Sequence, residues 1–308
     1  MALWTPSRIT TALWLDASDA ATLYDATSGG SLVAADGTVA RWEDKSGNAR
    51  HITQATMGKQ PLYKLTVQNG VSGLSFDGSN DEMSLASDLA LGTSHSIFFA
   101  VKNTATITAA SAAQVILSGG AYVYPSTTTS RFGVWTGAVT SRVANERLSS
   151  LVSANGSGAE DTFGRAKTDT DISGAFFAST AFTTSGNAYR NRFRGSDDIA
   201  TATVPGGFTS TNTRYPTLLR VVGAYVDSTT FWSGHILEII VIAGFSSLTE
   251  TETIEGYLAH KWGMTGDLPG GHPYKSVAPL ASAGGSLING QSLIRPADSK
   301  PYQQLIGV

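Results

Sequence analysis

Three arginines alternate in Tyr189-Arg190-Asn191-Arg192-Phe193-Arg194-Gly195. If this segment is a strand, Arg190, Arg192 and Arg194 share one face, and Tyr189, Asn191 and Phe193 take the other. A row of guanidiniums suits bidentate hydrogen bonding to carboxylate or phosphate. The expected ligand is an acidic glycan, a lipopolysaccharide phosphate or an acidic partner subunit. The alternative is a solvated strand face balanced by Asp197 and Asp198. A second set of donors lies in Asp77-Gly78-Ser79-Asn80-Asp81. Asp77, Asn80 and Asp81 offer the hard oxygens that Ca²⁺ prefers, with Asp16 and Asp19 positioned to converge from another strand end. The alternative is that these are turn residues bonded to nearby backbone. The spacing is not that of an EF-hand.

Glycoside hydrolysis needs two carboxyls about 5–5.5 Å apart for retention. Glu250, Glu252 and Glu255 are close in sequence but fall on a predicted helix, and Glu238 is alone in Ile236-Leu237-Glu238-Ile239-Ile240. A lone Glu in such a strand reads as a hydrogen-bonded structural residue. The histidines, His51, His95, His235, His260 and His272, are scattered, and none forms a His-x-x-x-His or Glu-flanked pair. No Gly-rich loop has phosphate-binding spacing. The chain is therefore expected not to be an enzyme. Sugar binding rests on exposed aromatic platforms, for which Tyr122, Tyr124, Trp135, Tyr215 and Trp232 qualify by type. Trp14, Trp42 and Trp262 are expected in the core.

The elements that must position these groups are mostly strands. Ala12–Leu15, Val39–Trp42, Val71–Phe76, Gln114–Ser118, Arg131–Trp135, Ala175–Phe177, Leu218–Val226 and Phe231–Ile242 are apolar or alternating, separated by Ser, Thr, Gly and Asn. Ser96–Lys102 is nearly continuously apolar, which predicts a strand buried on both faces. The polar middle, about residues 103–215, predicts long loops or an extra hairpin. One helix is expected after Leu248, with a capping box formed by Thr249 and Glu252. Ile254, Tyr257, Leu258 and Lys261 share a face, and Gly263 ends the helix.

Several motifs recur in a definite order: Leu13-Trp14-Leu15-Asp16-Ala17-Ser18-Asp19, Trp42-Glu43-Asp44-Lys45-Ser46-Gly47-Asn48, Phe76-Asp77-Gly78-Ser79-Asn80-Asp81, and Glu255-Gly256-Tyr257-Leu258-Ala259-His260-Lys261-Trp262-Gly263 before Gly271-His272-Pro273-Tyr274. Over about residues 8–275 the chain resembles the laminin-G-like branch of the concanavalin A-like lectin/glucanase jelly rolls, in the form found in bacterial surface proteins and tailed-phage structural proteins. The resemblance implies an all-β antiparallel β-sandwich jelly roll with one short C-terminal helix plugging one end. It also implies Ca²⁺ as the cofactor to look for. Retaining enzymes of that superfamily carry Glu-x-Asp-x-x-Glu on one strand, and this chain has no such strand.

Composition narrows the setting. Among 308 residues only 15% are charged and 41% hydrophobic, with 33 glycines, which suits many strands and turns under a hydroxyl- and amide-rich surface. The net charge of −3 argues against nucleic acid as the main partner. With no cysteine, disulfides and thiolate metal sites are excluded. The N-terminus predicts no secretory leader, and no apolar run predicts a membrane span. The expected organisation is a jelly-roll domain over 1–275 and an extended C-terminal arm over 276–308 that packs on a neighbouring subunit. Leu287–Ile294 would form a hairpin around Asn289-Gly290. The function expected is that of a non-catalytic structural protein of a tailed-phage virion, a capsid decoration or tail appendage assembled in the host cytoplasm. Its partners would be itself, as a homo-oligomer, and other virion proteins. The alternatives are a carbohydrate-binding adhesin or receptor-binding module that meets a host surface glycan, and a glycan hydrolase.

Overall fold

The computed structural model describes residues 2–108, 111–119, 132–136, 148–152, 171–183, 188–197, 218–226 and 228–281. The strands are β1 (Leu13–Asp16), β2 (Leu23–Tyr24), β3 (Arg41–Trp42), β4 (Ile52–Thr53), β5 (Leu62–Gln68), β6 (Val71–Asp77), β7 (Met83–Ala90) and β8 (Ser94–Asn103). They continue as β9 (Gln114–Gly119), β10 (Phe132–Thr136), β11 (Leu148–Val152), β12 (Ala175–Thr183), β13 (Ala188–Phe193), β14 (Ser196–Asp197), β15 (Leu218–Val222) and β16 (Ser233–Ile242). One α-helix, α1, spans Leu248–Lys261.

Two antiparallel sheets form a sandwich. The first runs β14-β13-β12-β8-β16-β6-β5, with β1 added on β16, and the second runs β11-β10-β9-β15-β7-β4-β3-β2. Between them lies the main core, to which Leu13, Leu15, Trp42, Phe76, Phe99, Phe176, Trp232 and Ile239 contribute. In the polar middle, β9, β10 and β11 pair in chain order and supply the extra hairpin. The expected strand Ser96–Lys102 is buried on both faces: Ile97, Phe99 and Val101 enter the main core, and Phe98 and Ala100 enter a second one.

That second core corrects the expected place of the helix. Rather than plugging an end of the sandwich, α1 lies on the outer face of the first sheet. Ile254, Tyr257, Leu258 and Ala259, with Trp262 just beyond the helix, pack on Phe98, Ala100, Phe177, Leu237 and Ile240. A two-faced apolar sheet needs cover on both sides, and the helix supplies the second layer. The cap is also shifted. Ser247 and Glu250 form the capping box, Glu250 N–H donating to Ser247 Oγ at 3.2 Å and Ser247 N–H to Glu250 Oε2 at 2.8 Å. Ser246 N–H is already held by Ser96 Oγ at 2.8 Å, so the helix begins directly after that anchor, ahead of Thr249.

A bulge in β16 decides where its side chains point. Ile236 pairs with Val101 but Glu238 with Ala100, so Leu237 is the extra residue. Ile236 faces the main core, whereas Leu237 and Glu238 both face the helix. Without the bulge, period-two alternation would put Glu238 into the apolar main core.

The segment after Lys275 turns back to its own N-terminus. Trp4 N–H donates to Pro279 O at 2.8 Å and Ala281 N–H to Ala2 O at 3.0 Å. The rest of the expected arm, with the Asn289-Gly290 hairpin, lies outside the described residues.

At Gly223 the two sheets approach closely. Its φ is +86°, and an added Cβ would overlap Phe76 Cε1 and Cδ1. Phe76 is enclosed in the main core and has no room to yield. Gly223→Ala should therefore cost about 2–3 kcal/mol, from the left-handed backbone and overpacking together. The readout is the denaturant midpoint, and an unchanged midpoint would refute the contact.

Candidate functional site

Among the described residues, a dense assembly of ionisable groups sits between the first sheet and the helix. Asp16, at the end of β1, is in register with Glu238 on β16, so the two carboxylates face the helix side by side. Lys261, in the last turn of α1, reaches both: Nζ lies 2.7 Å from Asp16 Oδ1 and 2.8 Å from Glu238 Oε2. Lys45 closes the other side, 2.9 Å from Asp16 Oδ2 and 2.8 Å from Asp19 Oδ2. Three aromatic donors complete the shell of Glu238. Trp14 Nε1–H and Tyr257 O–H donate to Oε1, both at 2.8 Å, and Trp262 Nε1–H donates to Oε2 at 3.0 Å.

Sequence order explains why these groups meet. Asp44 Oδ1 accepts from Trp14 N–H at 2.9 Å, Lys45 N–H donates to Trp14 O at 2.8 Å, and Asn48 Nδ2 donates to Thr11 O at 2.9 Å. The Asp44–Asn48 turn thus clamps β1 and delivers Lys45 to Asp16. Burial pushes the Glu238 carboxyl up, Lys261 pulls it back and Asp16 adds to the rise, leaving it above its ordinary value. Burial also opposes ionisation of Asp16, but Lys261 and Lys45 together hold it below its ordinary value. The Tyr257 hydroxyl is raised by burial and by the two carboxylates, so it stays a donor. Glu238 therefore has the hydrogen-bonded role read from its strand.

The arginines do not form a common outward face. Arg192 is buried: Nε donates to Glu255 Oε1 at 2.8 Å, Nη2 to Glu255 Oε2 at 3.1 Å and Nη1 to Asp197 Oδ1 at 2.9 Å. His272 Nε2 lies 3.3 Å from Glu255 Oε2. Arg190 reaches under the helix start to Ser246 O and Thr251 Oγ1 and stacks its guanidinium 4.9 Å from the Phe245 ring centre. Arg194 lies past the end of β13 with φ +52°, which breaks the alternation, and its Nε is 3.5 Å from Asp267. Arg190 and Arg192 thus fasten α1 and the following loop to the sheet edge, and the solvated face read as the alternative is not what Arg192 occupies. Asp198 lies outside the described residues.

In the loop after β6, Asp77 Oδ1 accepts the N–H groups of Ser79, Asn80 and Asp81 at 2.8, 3.1 and 3.3 Å. Asp81 Oδ2 accepts Asp77 N–H at 2.9 Å. These carboxylate oxygens serve the loop's own backbone, as turn residues do. Among the described residues no group of three His, Cys, Asp or Glu is arranged to hold a metal ion. Asp77 Oδ1 and Asp81 Oδ2 are thus engaged in holding the loop. Burial pushes the Asp81 carboxyl up to about 6, the Asp77 N–H lowers it and the Asp77 charge raises it further. A carboxyl whose folded pKa lies above its unfolded value binds more protons when folded. Its stabilisation is full below about pH 4 and lost as pH rises through about 6. Asp81→Asn keeps the acceptor oxygen and should flatten that fall relative to wild type. Parallel stability curves from about pH 4 to about pH 7 would refute it.

The remaining candidates scatter. His51 Nδ1 accepts from Asp44 N–H at 3.1 Å, and His260 Nε2 contacts Tyr274 O at 2.9 Å. His95 is enclosed, and burial lowers it to about 4. Trp14, Trp42 and Trp262 are in the cores as expected. Trp232 is fully buried, so it is not a sugar platform. Tyr122, Tyr124, Tyr215 and the side chain of Trp135 lie outside the described residues. Sequence reasoning missed Lys45, Lys261 and the Glu255–His272 pair, although all four sit inside the motifs that carry the resemblance.

No protein-family model matches the chain, and no curated protein matches it. Solved structures do. An arabinofuranosidase complexed with arabinofuranosyl-α-1,2-xylobiose is 14% identical, with 73% of this chain and 51% of that chain covered and a TM-score of 0.50. A GH54 α-L-arabinofuranosidase soaked with a cyclic sulfate inhibitor gives 12%, 73%, 51% and 0.50. Domain 4 of AbnA, a GH43 extracellular arabinanase from Geobacillus stearothermophilus, in complex with arabinotriose, gives 14%, 68%, 89% and 0.45. The chain spans about half the length of the two arabinofuranosidase chains, 51% in each. This likeness corrects the expectation that the chain is not an enzyme: a sandwich of this kind is found in arabinofuranosidases, so the fold gives no ground for excluding catalysis. What the chain shares with the two arabinofuranosidases is an antiparallel β-sandwich of jelly-roll type.

Proposed function

We propose that the chain is a glycan-recognising β-sandwich module displayed on an outer surface, such as a receptor-binding component of a tailed-phage particle. The observation that carries this reading is the asymmetry of the two sheets. Helix α1 seals the outer face of the first. On the second, Leu23, Trp42, Ile52 and Leu85 form an inward row, so their neighbours Tyr24, Arg41, Thr53 and Ser84 form an outward one. The Arg41 side chain is buried, stacked 4.0 Å from the Tyr24 ring centre and held by Glu43 Oε1 and Ala26 O, and Arg220 pairs with Asp88 at 3.5 Å on the same sheet. With these guanidiniums engaged, what the face offers is the half-buried Tyr24, Thr53 and Ser84, hydroxyls and one aromatic ring that suit the many hydroxyls of a sugar better than an ionic ligand. The arabinose-containing ligand named for the arabinofuranosidase complex makes pentose glycans the first to try.

The test is a glycan array followed by thermal unfolding with the best hits. A ligand present at 100 times its Kd should add about 2.7 kcal/mol of stability. Thr53→Lys should abolish the gain by filling the row. An array without hits, and a melting temperature unmoved by arabinan or xylan oligosaccharides, would reject the reading.

A second reading, a self-associating structural part of a virion, is favoured by the segment that pairs with the N-terminus, where Val277 and Leu280 are 63% and 45% exposed. The solution mass of the full chain beside a version ended at Ala281 tests it. An oligomer that dissociates on truncation supports a neighbour-binding arm, and two equal monomers would discard it.

A further inference from the structure

We propose that Lys261 and Asp16 become joined by an intramolecular amide bond, formed without any other enzyme, with Glu238 as the proton relay. Such a condensation needs an amine against a carboxyl, an acid–base group touching the amine, a stabiliser for the developing oxyanion, and a dry enclosure. The structure supplies the first three and closes Glu238 off completely, while the Lys261 and Lys45 side chains are 14% and 22% exposed.

The amine and the carboxyl are 245 residues apart in sequence and 2.7 Å apart in space, Nζ to Oδ1, so only the folded chain brings them together. Glu238 Oε2 lies 2.8 Å from the same Nζ, and the β1–β16 register sets Glu238 directly beside Asp16. The bulge at Leu237 is what turns Glu238 to this side. Lys45 Nζ lies 2.9 Å from Asp16 Oδ2, the oxygen on which negative charge would collect during attack. Trp14, Tyr257 and Trp262 wall the site and fix Glu238 through their donors. Glu238 is 0% exposed and Lys261 14%. Burial raises the Glu238 carboxyl, which suits a group that must take and return a proton.

The step balances. Glu238 accepts one proton from the Lys261 ammonium. Glu238 passes that proton to Asp16 Oδ1, which neutralises the carboxylate that the two lysines otherwise hold charged. The freed lone pair attacks Cγ of the neutral carboxyl, forming the C–N bond and placing negative charge on Oδ2 opposite Lys45. The C–Oδ1 bond then breaks, and Oδ1 leaves as water with the relayed proton and a second one from the nitrogen, while Glu238 is back in its starting state. Ammonium plus carboxylate becomes amide plus water, with no oxidant or cofactor. Asp16 is assigned as the acyl donor because Lys45 polarises it. Glu238 has both oxygens fixed by aromatic donors as well as by Lys261. The product would clasp the first strand to the end of the helix in a chain that has no cysteine.

The experiment is the intact mass of the purified full chain, denatured, followed by tryptic mapping with fragmentation. The expected wild-type mass is the sequence value less one water molecule. The expected map has the peptide containing Asp16 linked to the one containing Lys261, with no cleavage after Lys261. Asp16→Asn should lose ammonia instead of water and converge on the same final mass. Lys261→Arg should keep its full mass, and Glu238→Gln should remain largely unlinked. Folded wild-type protein at full sequence mass overturns the proposal, whether or not any variant folds. So does a water loss confined to one peptide, or a link from Lys261 to Glu238.

Discussion

Replacing Glu238 by leucine should lower the unfolding free energy by about 5 kcal/mol. Leucine fits the space, so packing alone would make the change mild. The loss comes from the donors left behind. Trp14 Nε1, Tyr257 Oη and Trp262 Nε1 all donate to Glu238 in a site closed to water. A buried donor without a partner costs about 1–3 kcal/mol. Lys261 fares better, because Asp16 remains 2.7 Å away. Glu238→Gln keeps one acceptor oxygen but turns an amino group toward the same donors, so it should fall between leucine and wild type. Urea denaturation of the three proteins measures this order. A loss below about 1 kcal/mol for leucine would mean that water reaches these donors.

The same site shows how far the residues alone can be read. Strands β8, β9 and β16 were legible because their apolar content is dense and β6 because it alternates, and the run at Ser96–Lys102 already implied cover on both faces. What covers the outer face was not legible. The Ile254, Tyr257, Leu258, Lys261 stripe tells which side of the helix is buried, not which surface receives it. β5 and β7 escaped because Leu62–Gln68 and Met83–Ala90 mix polar and apolar residues without clean alternation. The bulge at Leu237 has no glycine or proline to announce it, yet it converts Glu238 from a core misfit into the centre of a hydrogen-bonded cluster. For the arginines the alternation was read correctly over β13, but it cannot say that a helix lies above that face. Glu255, four residues before Ala259 in an apolar stripe, was a buried carboxylate awaiting a cation. Pairing it with Arg192 required the tertiary fold.

Arg192→Met should destabilise the protein by about 3–5 kcal/mol, while Arg194→Met should change stability by less than about 1 kcal/mol. The contrast follows from burial. Arg192 and Glu255 have side chains 6% and 1% exposed and share two hydrogen bonds, so removing the guanidinium leaves Glu255 as a charge out of water, in contact with His272 and with Arg190 acting on it through its charge. Arg194 is 28% exposed and 3.5 Å from an Asp267 that water also reaches. Fastening is not the same as favourable charge pairing, and a double replacement separates them. In Arg192→Met with Glu255→Leu no buried charge is orphaned, so most of the lost stability should return, because a packed apolar pair is often as stable as a buried ion pair. Asp197 lies at the solvent edge and keeps its hydration in either variant. Denaturant midpoints for the two single changes and the double complete a cycle whose coupling term should be several kcal/mol. If Arg192→Met leaves the midpoint unchanged, the guanidinium is not locked under the helix and is free to meet an acidic ligand.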